Sequence, residues 1–265
     1  MVFPFRRYAM TDLTLTSGFI QTREHNAVLH VTLDRADKLN ALTVAMYQDL
    51  TAAVQHLAER DDLNALLITA KGRSYCAGND IQDFLQADPA SRDDGKLSPA
   101  MVLIHALMAL DKPVIMAVQG NATGIGTTML LHADLVIAAD DARFHTAFIN
   151  LGLVPEAGSS LILPALIGRQ NANRLLLAGD TFNAEEAERM GLIAYRTGVD
   201  ELASEALALA ERLAEKTPAA IAMTKQLTRL SDAAIKTQIE KESVMFAERM
   251  FSDDTRAMFA GFLKK

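Results

Sequence analysis

The chain has one cysteine in 265 residues, no tryptophan, and fewer cationic than anionic side chains. A lone Cys76 excludes an internal disulfide, and without Cys-x-x-Cys or His-x-x-x-His pairs no zinc pattern exists. The expected compartment is the reducing cytoplasm, and no metal is expected. The 26 Lys and Arg against 33 Asp and Glu leave a net charge of −7, which argues against a nucleic-acid partner. Lys71, Arg73, Lys225, Arg229, Lys264 and Lys265 are the cations left for a local anion site. No apolar run approaches the roughly 18 residues of a membrane span. Residues 1–12 lack the apolar stretch of a signal peptide and read as a flexible extension.

What is present suits a large core. Half the residues are hydrophobic and 22% are charged, as in ordinary globular domains. Strands are expected at 18–21 and 27–33, joined across Glu24–Asn26. Thr43 should cap a helix to about Arg60, with Met46, Leu50, Val54 and Leu57 at helical spacing. A strand at 64–70, a polar loop at 88–98, a helix from Pro99 to Leu110 and a strand at 113–118 follow. Residues 124–131 read as a helix and 135–139 as a strand. This βα alternation implies an α/β fold with a largely parallel sheet. From Asp200 the pattern is helical only: 201–216 with Asp200 as cap, a second helix from Pro218, then 232–250 and about 255–263. Residues 1–199 therefore read as the core and 200–265 as a helical region that packs on the core or on another subunit.

Glu156 stands out by isolation. It is the one acidic residue between Asp141 and Asp180, and Phe148, Leu151, Leu153 and Val154 precede it. A carboxylate after Pro155 and before the apolar run 161–167 can stabilise a helix start by about 0.3–1 kcal/mol. It can equally be a buried acid kept for chemistry. Composition leaves both readings open.

Two glycine-bearing segments run from a strand toward a helix, at 71–82 and 117–128. Such junctions leave backbone N–H groups pointing outward, suited to an oxyanion, though close helix–strand packing explains many such glycines. The second is not a dinucleotide fingerprint, because Met129 stands where the third glycine belongs.

Taken in order, residues 33–42 (Leu-Asp-Arg-Ala-Asp-Lys-Leu-Asn-Ala-Leu), 75–81 (Tyr-Cys-Ala-Gly-Asn-Asp-Ile) and 117–134 resemble the crotonase, or enoyl-CoA hydratase/isomerase, superfamily. The resemblance covers about residues 15–260 and implies a crotonase-like spiral of ββα turns followed by a helical trimerisation region. The partner it implies is an acyl-CoA thioester, bound by a homotrimer or a dimer of trimers, with coenzyme A as part of the substrate rather than a cofactor. The family's oxyanion-hole donors fall on the backbone N–H groups of Asn79 and Ile125. Lys38, Ala41, Leu42, Ala77, Gly78, Asp80, Ile81, Gly124 and Phe148 would line the acyl-CoA.

The two hydratase glutamates of the family map onto Thr128 and Phe148, neither of them acidic. The Leu-Val-Pro-Glu stretch at 153–156 resembles the peroxisomal-type Δ3,Δ2-enoyl-CoA isomerases, whose single catalytic glutamate lies there. That resemblance implies Glu156 as the base of a double-bond shift. The alternatives are a hydratase of altered mechanism and a non-catalytic acyl-CoA-binding trimer. Cys76 reads as a small buried hydrophobe, His145 as a structural residue near the mapped site, and the other five histidines show no partner pattern.

Overall fold

In four consecutive strands the side chains alternate between two apolar surfaces. Leu29, Val31 and Leu33 on one strand, Leu66 and Ile68 on the next, Val114, Met116 and Val118, then Val136 and Ala138, all enter the larger core. The intervening Val28, Ala65, Leu67, Ile115, Ala117, Ile137 and Ala139 enter a second cluster. A sheet buried on both faces needs near-continuous apolar strands, as these segments are.

The computed structural model describes residues 13–86 and 97–262. Its main sheet has the order β1 (Ile20–His25), β2 (Val28–Leu33), β3 (Ala65–Ala70), β4 (Val114–Val118), β6 (Leu135–Ala139) and β9 (Tyr195–Thr197). Only the β1–β2 pairing is antiparallel. A smaller sheet joins β5 (Asn121–Thr123), β7 (Arg143–His145) and β8 (Thr181–Asn183). Helices α1 (Val44–Glu59) and α3 (Pro99–Ala109) contribute to the larger core, and α8 (Leu202–Ala214) covers the opposite face. The remaining helices are α2 (Ile81–Gln86), α4 (Ile125–Thr128), α5 (Ser159–Ile167), α6 (Arg169–Leu176), α7 (Ala184–Met190), α9 (Pro218–Thr228), α10 (Asp232–Met250) and α11 (Asp253–Phe262).

The fold is the α/β arrangement expected, with the helical region at its end, and Thr43 accepts from Met46 N–H as the predicted cap. Three local expectations fail. Strand β1 begins at Ile20, because Gly18 adopts φ +72 and breaks the ladder. Asp200 does not cap α8; Glu201 precedes it in helical geometry, with no side-chain cap. The helix expected at 124–131 tightens to 3₁₀ at Met129–His132. Residues 1–12, most of the 88–98 loop, Lys264 and Lys265 lie outside the described residues. No helix among the described residues is long and apolar enough to cross a membrane.

Candidate active site

Strands β3 and β4 are parallel neighbours, so the segments leaving their carboxyl ends run side by side. Tyr75 N–H donates to Gln119 O at 2.8 Å, Cys76 N–H to Asn121 O at 3.0 Å, and Thr123 N–H to Cys76 O at 2.8 Å. The glycines make this approach possible. A Cβ on Gly126 would lie 2.6 Å from Cys76 O, and one on Gly78 3.0 Å from Thr123 O. Gly124, at φ 56 and ψ −122, occupies backbone space reserved for glycine. The two oxyanion-type segments thus form one structure.

Asn79 and Ile125 sit on the facing edges of that structure. Leu42 donates to Gly78 O and accepts from Asp80 N–H, so the intervening Asn79 N–H points away from Leu42. Ile125 opens α4 after Gly124, and a first-turn N–H has no partner within its helix. Among the described residues, neither N–H donates to another protein group.

Glu156 is 6% exposed, and Thr128 Oγ1 donates to its Oε1 at 2.7 Å. Gly124 O is farther from that hydroxyl, at 3.4 Å, so its single proton belongs to the glutamate. Burial pushes the Glu156 carboxyl up to about 7; the Thr128 bond opposes this and the Glu242 charge adds to it. The wall is apolar as expected. Phe148 is 5% exposed, clusters with Leu153 and Phe259, and meets Phe246 edge-on at 6.4 Å.

Glu156 is not the helix-start carboxylate. Helix α5 begins only at Ser159, after two left-handed residues, Ala157 (φ 59) and Gly158 (φ 74). The carboxylate serving that helix end is Glu242 of α10, which accepts from Gly158 N–H at 2.6 Å and Ser160 N–H at 3.0 Å. A left-handed Ala costs roughly 1–2 kcal/mol, and a tertiary bond at each end of this turn offsets it. His132, pushed down to about 4 by burial, is neutral and donates through Nε2 to Ala157 O at 2.8 Å.

The first signature is stitched to the second. Ala77 N–H donates to Leu39 O, and buried Asn40, itself left-handed, donates to Lys71 O and Ser74 O. Lys38 is exposed at the 3₁₀ turn Ala36–Lys38; Ala41, Ala77 and Ile81 are half-buried; Leu42 and Gly78 are buried. Asp80 accepts from Arg35 Nη1 at 2.8 Å and from Gln82 N–H, so it ties the first signature to the start of α2. Cys76 is the buried hydrophobe expected, its thiol pushed up to about 12 by burial. His145 ends β7, and its Nε2 lies 3.3 Å from Asn150 Nδ2.

Sequence reading missed Tyr47, Asn40, His132 and Glu242. Tyr47 is buried and its hydroxyl donates to Asn79 Oδ1, beside the outward Asn79 N–H. A phenol within an apolar helix stripe is the one signal that pointed to it. The anion site once open to Lys71, Lys225 and Arg229 does not form from them, because each pairs with an aspartate: Asp34, Asp134 and Asp232 respectively.

A spiral α/β core that brings two outward backbone N–H groups to a buried glutamate defines the class of the chain: a fold of the crotonase type. Residues 23–265 match the enoyl-CoA hydratase/isomerase family model, and the chain belongs to that family. It is 34% identical to the 1,2-epoxyphenylacetyl-CoA isomerase of Escherichia coli over 93% of this chain and 96% of that protein. It is 30% identical to the 2,3-dehydroadipyl-CoA hydratase of the same organism, over 94% and 96%. The crystal structure of an enoyl-CoA hydratase/isomerase from Pseudoalteromonas atlantica T6c superposes with a TM-score of 0.86 at 34% identity, covering 93% of this chain and 97% of the other.

Proposed function

We propose that the chain is an acyl-CoA enzyme that moves a C3 double bond to C2, a Δ3,Δ2-enoyl-CoA isomerase with Glu156 as its single base. The thioester carbonyl oxygen accepts from Asn79 N–H and Ile125 N–H. Glu156 takes a proton from C2, and the electron pair passes into the carbonyl to give a dienolate that the two donors stabilise. The proton returns at C4, leaving the double bond between C2 and C3. Nothing is oxidised or reduced. A carboxyl held at about 7 is populated in both forms near neutrality, which suits a group that must take and return a proton.

The observation that carries this reading is the pairing of buried Glu156 with Thr128 rather than with a second acid. Phe148 supports it, since an apolar wall disfavours a held water. Glu156→Gln is expected to cut turnover of a 3-enoyl-CoA by orders of magnitude with coenzyme A binding nearly intact. Full activity in that variant overturns the assignment.

The C-terminal helices support a trimer or dimer of trimers as the working unit. Met223 and Leu227 on α9 and Val244 and Met245 on α10 are exposed, Leu227 to 85%. Apolar side chains at that exposure on the C-terminal helices fit a subunit interface.

A further inference from the structure

The turn that carries Glu156 is held from outside. Ala157 and Gly158 are both left-handed, and α10 presses directly on them. A Cβ on Gly158 would meet Ile235 Cγ2 at 3.0 Å and Ile239 Cγ1 at 3.5 Å. One turn further along the same helix, Glu242 accepts from Gly158 N–H, Ser160 N–H and the Ser160 hydroxyl. Gln238 Nε2 donates to that hydroxyl oxygen at 2.7 Å, so the serine's proton is committed to Glu242. Burial raises the Glu242 carboxyl above its ordinary value, and the three donors oppose that rise. Glu156 accepts one hydrogen bond from a described group.

We propose that Glu242 is a positioning residue for Glu156, clamping the strained turn from α10 so that the base stands at a fixed place beside the oxyanion donors. This rests on the reading of Glu156 as the base. It makes the helical region part of the active site, because α10 supplies both the apolar floor of the turn and its anchoring carboxylate.

The clamp has an electrostatic consequence. The groups that bear on Glu156 are Thr128 from α4, Glu242 from α10, and the Tyr47 and Cys76 side chains; His132 holds the adjoining carbonyl and is neutral. Of these Glu242 is the one other carboxyl, and its charge opposes ionisation of Glu156. Burial raises both carboxyls, and three hydrogen bonds oppose that rise on Glu242 against one on Glu156.

Glu242→Gln keeps the size, removes the charge and sets an amide NH₂ against donors. With the base misplaced, kcat for a 3-enoyl-CoA falls about 10- to 100-fold while KM stays within about twofold. The acid limb of kcat/KM moves to lower pH, and a ¹³C-carboxyl titration of Glu156 in the ligand-free protein moves the same way. Glu242→Asp keeps the charge but shortens the reach, so its kcat falls while its acid limb stays near that of the parent. A folded Glu242→Gln protein with parental kcat and an unmoved Glu156 titration overturns the proposal, as does a loss confined to KM. If Glu242→Gln does not fold, Glu242→Asp decides: parental kcat overturns the clamp and a fall with KM unchanged upholds it. The titration reports the Glu242 charge at Glu156 whatever reaction is catalysed. A moved titration in a protein whose parent does not turn over a 3-enoyl-CoA therefore marks failure of the isomerase reading, and an unmoved one marks failure of the clamp.

Discussion

Replacing Glu156 by Gln keeps the shape of the site and an acceptor for the Thr128 hydroxyl, but removes an acid that burial holds at about 7. In the unfolded chain that carboxyl titrates at its ordinary 4.5. Below that pH both states are protonated, and Glu156 adds nothing to the pH dependence. As pH rises from 4.5 to about 7 the unfolded state gives up its proton first. Stability is lost across that window and stays lost above it. At about 1.4 kcal/mol per pH unit, the full cost is about 3 kcal/mol. Glu156→Gln does not bear this cost. Urea unfolding at about pH 4 and about pH 8.5 should show the variant matching the parent at the lower pH and exceeding it by about 3 kcal/mol at the higher. A catalytically dead variant that gains stability is the signature of a charge buried for chemistry. Parallel stability curves at both pH values refute the reasoning, because Glu156 would then titrate alike in both states.

Three further outcomes follow from the same geometry. Thr128→Val removes the hydrogen bond that pulls the Glu156 carboxyl down, so the acid limb of kcat/KM should move to higher pH; an unmoved limb denies that pairing. Gly126→Ala puts a Cβ against Cys76 O, which is backbone and cannot swing aside. It should cost about 1–3 kcal/mol and most activity, and a variant as stable and active as the parent contradicts the close approach. Met223→Glu together with Leu227→Glu should lower the mass seen by light scattering toward that of the single chain, and an unchanged mass places the interface elsewhere.

The centre of the sheet was legible because β4 and β6 are apolar throughout and β3 nearly so, and 135–139 matches β6 residue for residue. The α10 boundaries were legible for another reason, since Pro218, Asp232 and the helical pattern punctuate the tail clearly. The small sheet was not read. Its strands β5, β7 and β8 have three residues each, too few for periodicity to show. Glu156 was legible as an isolated carboxylate, but its place was misread by a few residues. Pro155 suggested a helix start, whereas the left-handed Ala157 and Gly158 delay α5 to Ser159. Left-handed alanine has no local sequence signature. Glu242 was invisible for a simpler reason: it lies 84 residues from Gly158 in a helix of ordinary amphipathic composition. Partners at that separation are set by packing, which a single sequence does not display.

A proton shuttled by Glu156 between C2 and C4 of a thioester held by Asn79 and Ile125 leaves its mark on the product. Incubating the protein with a 3-enoyl-CoA in deuterated water and identifying the product by NMR reads that mark. The parent is expected to form a conjugated 2-enoyl-CoA, with any deuterium taken up at C2 or C4, and Glu156→Gln is expected not to. A 3-hydroxyacyl-CoA as the main product, or the same conjugated product formed at the same rate by Glu156→Gln, would contradict the shuttle.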